Sequence, residues 1–204
     1  EWRFSPERFP DPAGFMADMR RQGFRVSLWQ NPNIGKTNAL LPEARAKRYV
    51  PPTRASSTRS ASDFSALETG GQIDFTNPEA VRWYQSMLRS LFAAGASVIK
   101  TDFGETIDMN ADFLGMPAER LRNLYGLLYQ RAAFEVTREC TGEPSVWARA
   151  GWAGCQRYPV HWGGDAAASW DGMAASLRGG LPPGLSGCAY RSHAAPGFHG
   201  LPEF

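Results

Sequence analysis

The chain has 204 residues, 43% of them apolar and 21% charged, enough for one domain with a sizeable core. Its 22 basic and 20 acidic side chains leave a formal charge of +2, and the basic residues form no dense run, so no nucleic-acid partner is expected. No apolar run reaches membrane-spanning length and the N-terminus carries no signal-peptide pattern, so no membrane contact is expected either.

The opening, through Pro10, is aromatic and proline-punctuated and reads as a loop. Asp11-Pro12 then reads as a helix cap followed by proline in the first turn, with Phe15, Met16 and Met19 on one face and Gly23 as the stop. Phe24 to Trp29 is a short apolar strand, broken by Asn31-Pro32. From residue 33 to residue 73 periodicity is lost. Pro51-Pro52 and the Ser/Thr/Arg-rich run Arg54 to Asp63 mark a long loop excursion. Asn77-Pro78-Glu79 repeats the cap-then-proline grammar for a helix whose stripe is Val81, Tyr84, Leu88, Leu91 and Phe92, closed by Gly95.

Val98 to Thr101 follows as a strand. Leu121, Leu124, Tyr125, Leu128 and Ala132 then fall at helical spacing, with Gly142 as the stop. Ser145 to Arg149 is a third strand, with Ser145, Trp147 and Arg149 on one face, and Tyr158 to Trp162 is a fourth. Met173 to Arg178 predicts a brief helix and Leu185 to Tyr190 a fifth strand. Strands alternating with helices across short connections predict a parallel sheet with right-handed crossovers, either a barrel or an open doubly wound sheet. No glycine-rich fingerprint follows any strand, which disfavours the dinucleotide-binding version. The three cysteines, Cys140, Cys155 and Cys188, have neither zinc nor redox spacing. They read as small hydrophobes in a reducing, cytoplasmic compartment, and neither a metal nor a cofactor is expected.

Chemistry concentrates in two stretches. In Val98-Ile99-Lys100-Thr101-Asp102-Phe103-Gly104-Glu105, strand alternation puts Lys100 and Asp102 on one face and Ile99 and Thr101 on the other. A buried strand that ends by presenting a carboxylate beside an ammonium builds the catalytic mouth of an α/β barrel, although a surface ion pair would look the same. The second stretch runs from Arg149-Ala150-Gly151-Trp152 to His161-Trp162-Gly163-Gly164-Asp165, an Arg at one strand end and an Asp after a glycine pair at the next.

These two stretches resemble glycoside hydrolase family 31, its α-xylosidase branch most of all. Trp29-Gln30-Asn31-Pro32, Phe75-Thr76-Asn77-Pro78, Ser176-Leu177-Arg178-Gly179-Gly180-Leu181 and Gly184-Leu185-Ser186-Gly187 resemble it too, in family order across residues 1–204. The resemblance implies an incomplete (β/α)8 TIM barrel covering roughly strands 3 to 7. By itself, such a segment is expected to be inactive. It also implies retaining hydrolysis of a non-reducing terminal α-linked sugar, with xylose as the leading expectation, from an oligosaccharide or other α-glycoside. An α-glucosidase or sulfoquinovosidase of the same family, or a non-catalytic sugar-binding relative, are the alternatives. A homo-oligomer is compatible with the full-length protein.

By the same resemblance Asp102 matches the nucleophile and Asp165 the general acid/base. Retaining chemistry needs one ionised and one protonated carboxyl about 5 Å apart, which only barrel closure can arrange for positions so distant in sequence. Lys100 is expected to keep Asp102 ionised, and an aromatic setting beside Trp162 to keep Asp165 protonated. Trp29, Phe103 and Trp162 match aromatics of the sugar pocket, Arg149 and His193 match sugar-contacting residues, and Glu105 is expected to orient its neighbours. His161 is expected on the opposite face from Trp162. The chain departs from the family around His193. Ala194 stands in place of an aspartate, Pro196 in place of a glycine, which removes a backbone donor, and Arg191 in place of an aromatic.

Overall fold

Local signals place the first helix. The Asp11 carboxylate accepts from the Gly14 amide at 2.9 Å and Pro12 occupies the first turn, so α1 runs Pro12–Arg21. In this computed structural model residues 2–54 and 69–202 are described. Met16 is the buried residue of α1, whereas Phe15 is exposed and packs edge-on to Phe9.

Strand β1 (Ser27–Gln30) starts later than the apolar run suggests, because Phe24 is left exposed. The expected loop excursion over residues 33–73 holds regular structure in its described part. Strand β2 (Asn33–Gly35) pairs antiparallel with β3 (Thr69–Gln72), and helix α2 (Leu41–Ala46) lies between them. Strands of three and four residues and a six-residue helix are too short for periodicity to register. Most of the Arg54 to Asp63 run lies outside the described residues.

Asn77 caps α3 (Pro78–Ala93) by accepting from the Glu79 amide at 2.9 Å. Tyr84, Leu88, Leu91 and Phe92 bury the expected stripe, with Val81 partly buried beside them. After β4 (Val98–Thr101) come a short α4 (Ala118–Leu121) and the long α5 (Tyr125–Thr141), which ends at Gly142 with φ of 77°. Helices α3 and α5 pack against each other. Gln85 donates to the Ala132 carbonyl at 3.0 Å, and Arg89 grips Glu139 with two bonds of 3.0 and 2.7 Å.

Strand β5 (Trp147–Ala148) is the centre of the run predicted at Ser145 to Arg149, and β6 (His161–Trp162) is the C-terminal end of the run predicted at Tyr158 to Trp162. Helix α6 runs Trp170–Leu185, with Ser169 as its cap, instead of the brief Met173 to Arg178. Gly179-Gly180 and Pro182-Pro183 look like breakers in sequence, yet the helix continues through them. The strand predicted at Leu185 to Tyr190 is absent; β7 is Arg191–Ser192.

The main sheet is all parallel, in the order β1-β4-β5-β6-β7, so each strand lies beside the next along the barrel wall. The register sorts its faces. Trp29, Lys100 and Trp147 align across three strands on one face, while Thr101, Ala148, His161 and Arg191 align on the other. Ile99, Thr101, Val146 and Ala148 are buried against the helices, with an aromatic core of Phe75, Tyr84, Tyr125 and Tyr129 behind them. No helix among the described residues is long and apolar enough to cross a membrane.

Candidate active site

Every candidate site residue lies on a strand of the main sheet or just past its C-terminal end. Trp29 and Lys100 stand on β1 and β4, Asp102, Phe103 and Glu105 follow β4, Arg149 follows β5, Trp162 is on β6, Asp165 follows it, and His193 follows β7. The ladder that builds the sheet also sets their heights. The Asp102 amide donates to the Gln30 carbonyl at 2.8 Å, and the Arg149 amide to the Thr101 carbonyl at 3.2 Å. Each residue is thereby pinned to the strand before it.

Asp102 is 9% exposed and is held at both oxygens. Oδ2 accepts from the Trp29 indole at 2.7 Å; Oδ1 accepts from the Phe103 amide at 2.8 Å and lies 2.9 Å from Arg149 Nη1. Three donors thus converge on this one carboxyl, which accepts in each of these contacts. Phe103 turns the chain with φ of 59°, a left-handed conformation that costs a bulky residue on the order of 1–3 kcal/mol. Its ring lies 4.5 Å from the Arg149 guanidinium and edge-on to Trp29.

Arg149 joins three carboxylates. Nη2 is 2.6 Å from Glu105 Oε1, and Nη1 faces both Asp102 and Asp165, at 2.9 and 3.7 Å. Sharing one nitrogen puts those two oxygens no further apart than the two distances together, about 6.6 Å. That limit on one oxygen pair accommodates carboxyls about 5 Å apart, the spacing used for double displacement.

Two expectations change. Lys100 is not the cation on Asp102; its ammonium lies 4.8 Å from the Trp147 ring and 4.4 Å from the Trp162 ring, and the paired cation is Arg149. Alternation places Lys100 on the right face, but the two indoles form a better-shaped cradle for it than the crowded Asp102 does. Nor is Asp165 shut into an aromatic setting. Its side chain is 38% exposed, because Trp162 turns inward while Gly163 and Gly164, the latter with φ of 85°, carry the chain outward again.

Trp147 belongs to the site and was not singled out by sequence. It shares Lys100 with Trp162, meets that ring edge-on at 6.2 Å, and donates to Ser192 Oγ at 3.0 Å. Its only sequence signal was alternation with Arg149. His193 is exposed at the far edge, with Nδ1 3.8 Å from where a Cβ on Gly163 would stand. Ala194 and Pro196 follow it without a carboxylate.

Support comes from behind. Gln130 of α5 donates to the Ala150 carbonyl, next to Arg149. Gly126 lets α5 approach so closely that a Cβ there would lie 2.8 Å from Ala150 and 3.2 Å from the Gly104 carbonyl. Gln72 of β3 reaches across to the Thr106 carbonyl and the Asp108 amide at 2.8 and 2.9 Å, so the β2–β3 unit steadies the loop after Glu105.

A family model described as the TIM-barrel domain of glycosyl hydrolases family 31 matches residues 1–203. An alpha-xylosidase of Emericella nidulans is 34% identical over 207 residues, 99% of this chain and 26% of that protein. The alpha-xylosidase XylQ of Lactiplantibacillus pentosus is 36% identical over 215 residues, again 99% of this chain and 26% of its own length. A cycloalternan-degrading enzyme of Trueperella pyogenes, solved in complex with cycloalternan, superposes with a TM-score of 0.81 at 27% identity, over 95% of this chain and 28% of that one. The chain thus spans about a quarter of the length of the curated relatives it matches.

Proposed function

The chain belongs to glycoside hydrolase family 31, and from that premise we propose that the protein carrying it is a retaining α-xylosidase. The observation that carries this reading is the shared Arg149 nitrogen, which brings an oxygen of Asp102 and one of Asp165 within about 6.6 Å, a limit that admits the spacing of a double displacement. The two α-xylosidase relatives support xylose as the sugar.

Asp102, oriented at both oxygens, attacks the anomeric carbon and forms a covalent glycosyl–enzyme bond while the glycosidic bond breaks. Asp165, exposed and loosely held, gives its proton to the leaving oxygen. It then takes a proton from the water that releases the sugar. Lys100, Trp29 and Trp162 line the sugar side, with His193 at the rim. The substrate is a non-reducing terminal α-xyloside of an oligosaccharide or aryl glycoside. We place the protein in the cytoplasm, from its unpatterned cysteines.

A mechanism-based fluoroxyloside is expected to label the protein on Asp102, read by peptide mass, and Asp102→Ala to abolish the label. Sugar binding without labelling of Asp102 in the unmutated protein overturns the enzymatic reading; faster turnover of 4-nitrophenyl α-glucoside than of the xyloside overturns the sugar. Asp165→Ala is expected to slow natural xylosides far more than aryl xylosides, whose leaving group needs little acid help. Equal losses on both would remove Asp165 from that role.

A further inference from the structure

Two thiols that the proposed mechanism does not use meet beside the site described above. Cys155 opens the short 3-10 turn Cys155–Arg157 between β5 and β6, and Cys188 lies between α6 and β7. Their Sγ atoms are 3.7 Å apart, and each residue is 8% exposed. The backbone fixes both ends of the pair: the Cys155 amide donates to the Trp152 carbonyl at 3.0 Å, and the Cys188 amide to the Pro183 carbonyl at 2.9 Å. Gln156, next to Cys155, donates to the Ser186 carbonyl at 2.9 Å, so the two segments are already tied together. Both cysteines line a cavity of about 820 Å³ under α6, which they share with Arg149, Trp162 and Asp165 as well as His161 and Arg191. A small reagent therefore has a route to sulfurs that are buried from the surface.

We propose that Cys155 and Cys188 are a dithiol modification site that closes to a reversible disulfide, with a low-molecular-weight disulfide as the oxidant. One cysteine, as thiolate, attacks a sulfur of the reagent. The reagent's S–S bond breaks, one small thiolate leaves, and a mixed disulfide remains on the protein. The second cysteine, as thiolate, attacks the protein sulfur of that mixed disulfide. The Cys155–Cys188 bond forms and the second small thiolate leaves. The two protein thiols give up two electrons and two protons, and the reagent receives them as two thiols. A disulfide bond is about 2.0 Å long, so the sulfurs approach by roughly 1.7 Å, which side-chain rotation with slight movement of the turn supplies.

The bond would lock the turn that follows Arg149 onto the segment that leads into β7. The proposal stands on this geometry and is independent of the hydrolytic reading. Cys140, exposed on α5, serves as the internal control.

The protein is treated with oxidised glutathione under native conditions, then with N-ethylmaleimide in urea, digested and read by mass spectrometry. The expected result is a Cys155–Cys188 linked peptide several-fold more abundant than in the same treatment of urea-unfolded chain, reopened by dithiothreitol, with Cys140 outside the link. In Cys155→Ser and in Cys188→Ser, the remaining thiol is expected to keep a stable glutathione adduct. A linked yield no higher than in the unfolded chain overturns the proposal. So does recovery of Cys155 and Cys188 of the unmutated protein as separate glutathione or maleimide adducts.

Discussion

At the scale of single residues, Arg149 decides the site. A guanidinium is planar and presents several donors at fixed angles, so one side chain can hold Asp102 and Glu105 and still face Asp165. A lysine ammonium keeps the charge but reaches one or two of them. Arg149→Lys is therefore expected to lower kcat/KM on an aryl xyloside by about 10²-fold, through loss of orientation. The unfolding midpoint should move little, and unchanged kinetics would remove Arg149 from the positioning role. The residues of this site were legible in the sequence as types at strand ends. Their pairings were not. Lys100 and Arg149 both follow the alternation rule, and only the position of Trp147 and Trp162 shows which cation goes to Asp102 and which to the rings.

At the scale of elements, α5 sets the distance between the β4 and β5 loops. Gly126 sits in the first turn of α5, where helix propensity alone favours alanine by about 1 kcal/mol. The close approach reverses the sign: a Cβ there would press on Ala150 and on the Gly104 carbonyl, at a cost of about 1–3 kcal/mol. Gly126→Ala is expected to lower stability in urea and also to reduce activity through the displaced Arg149 loop; a gain in stability would refute the contact. The helices with chemical caps, at Asp11-Pro12 and Asn77-Pro78, were legible because a capping side chain satisfies its own local amides. Short or irregular elements were not. The β2–β3 pair depends on register between distant segments, and α6 continues past residues that end helices elsewhere.

At the scale of the whole molecule, the outward face of the sheet carries its own pH dependence. Burial, and secondly the Arg191 guanidinium, hold the His161 imidazole below its ordinary value of 6.5. Below that value the unfolded chain binds a proton that the folded chain refuses, so the contribution is present above pH about 6.5 and is lost as the pH falls. Unfolding free energy is expected to decline from pH 7 to pH 5 more steeply than in His161→Gln, by up to about 1.4 kcal/mol for each unit of depression; parallel profiles would show that His161 is free to ionise. The sequence by itself determined the alternating strands and helices, the capped helix starts, and the two carboxylates that follow their strands, because each rests on neighbours within a few residues. Only the tertiary structure decided that one guanidinium nitrogen serves both carboxylates, that Lys100 belongs to two indoles, and that Cys155 meets Cys188. Those contacts join strands and loops far apart in the chain, and their geometry exists only once parallel pairing has fixed the height and facing of every strand end.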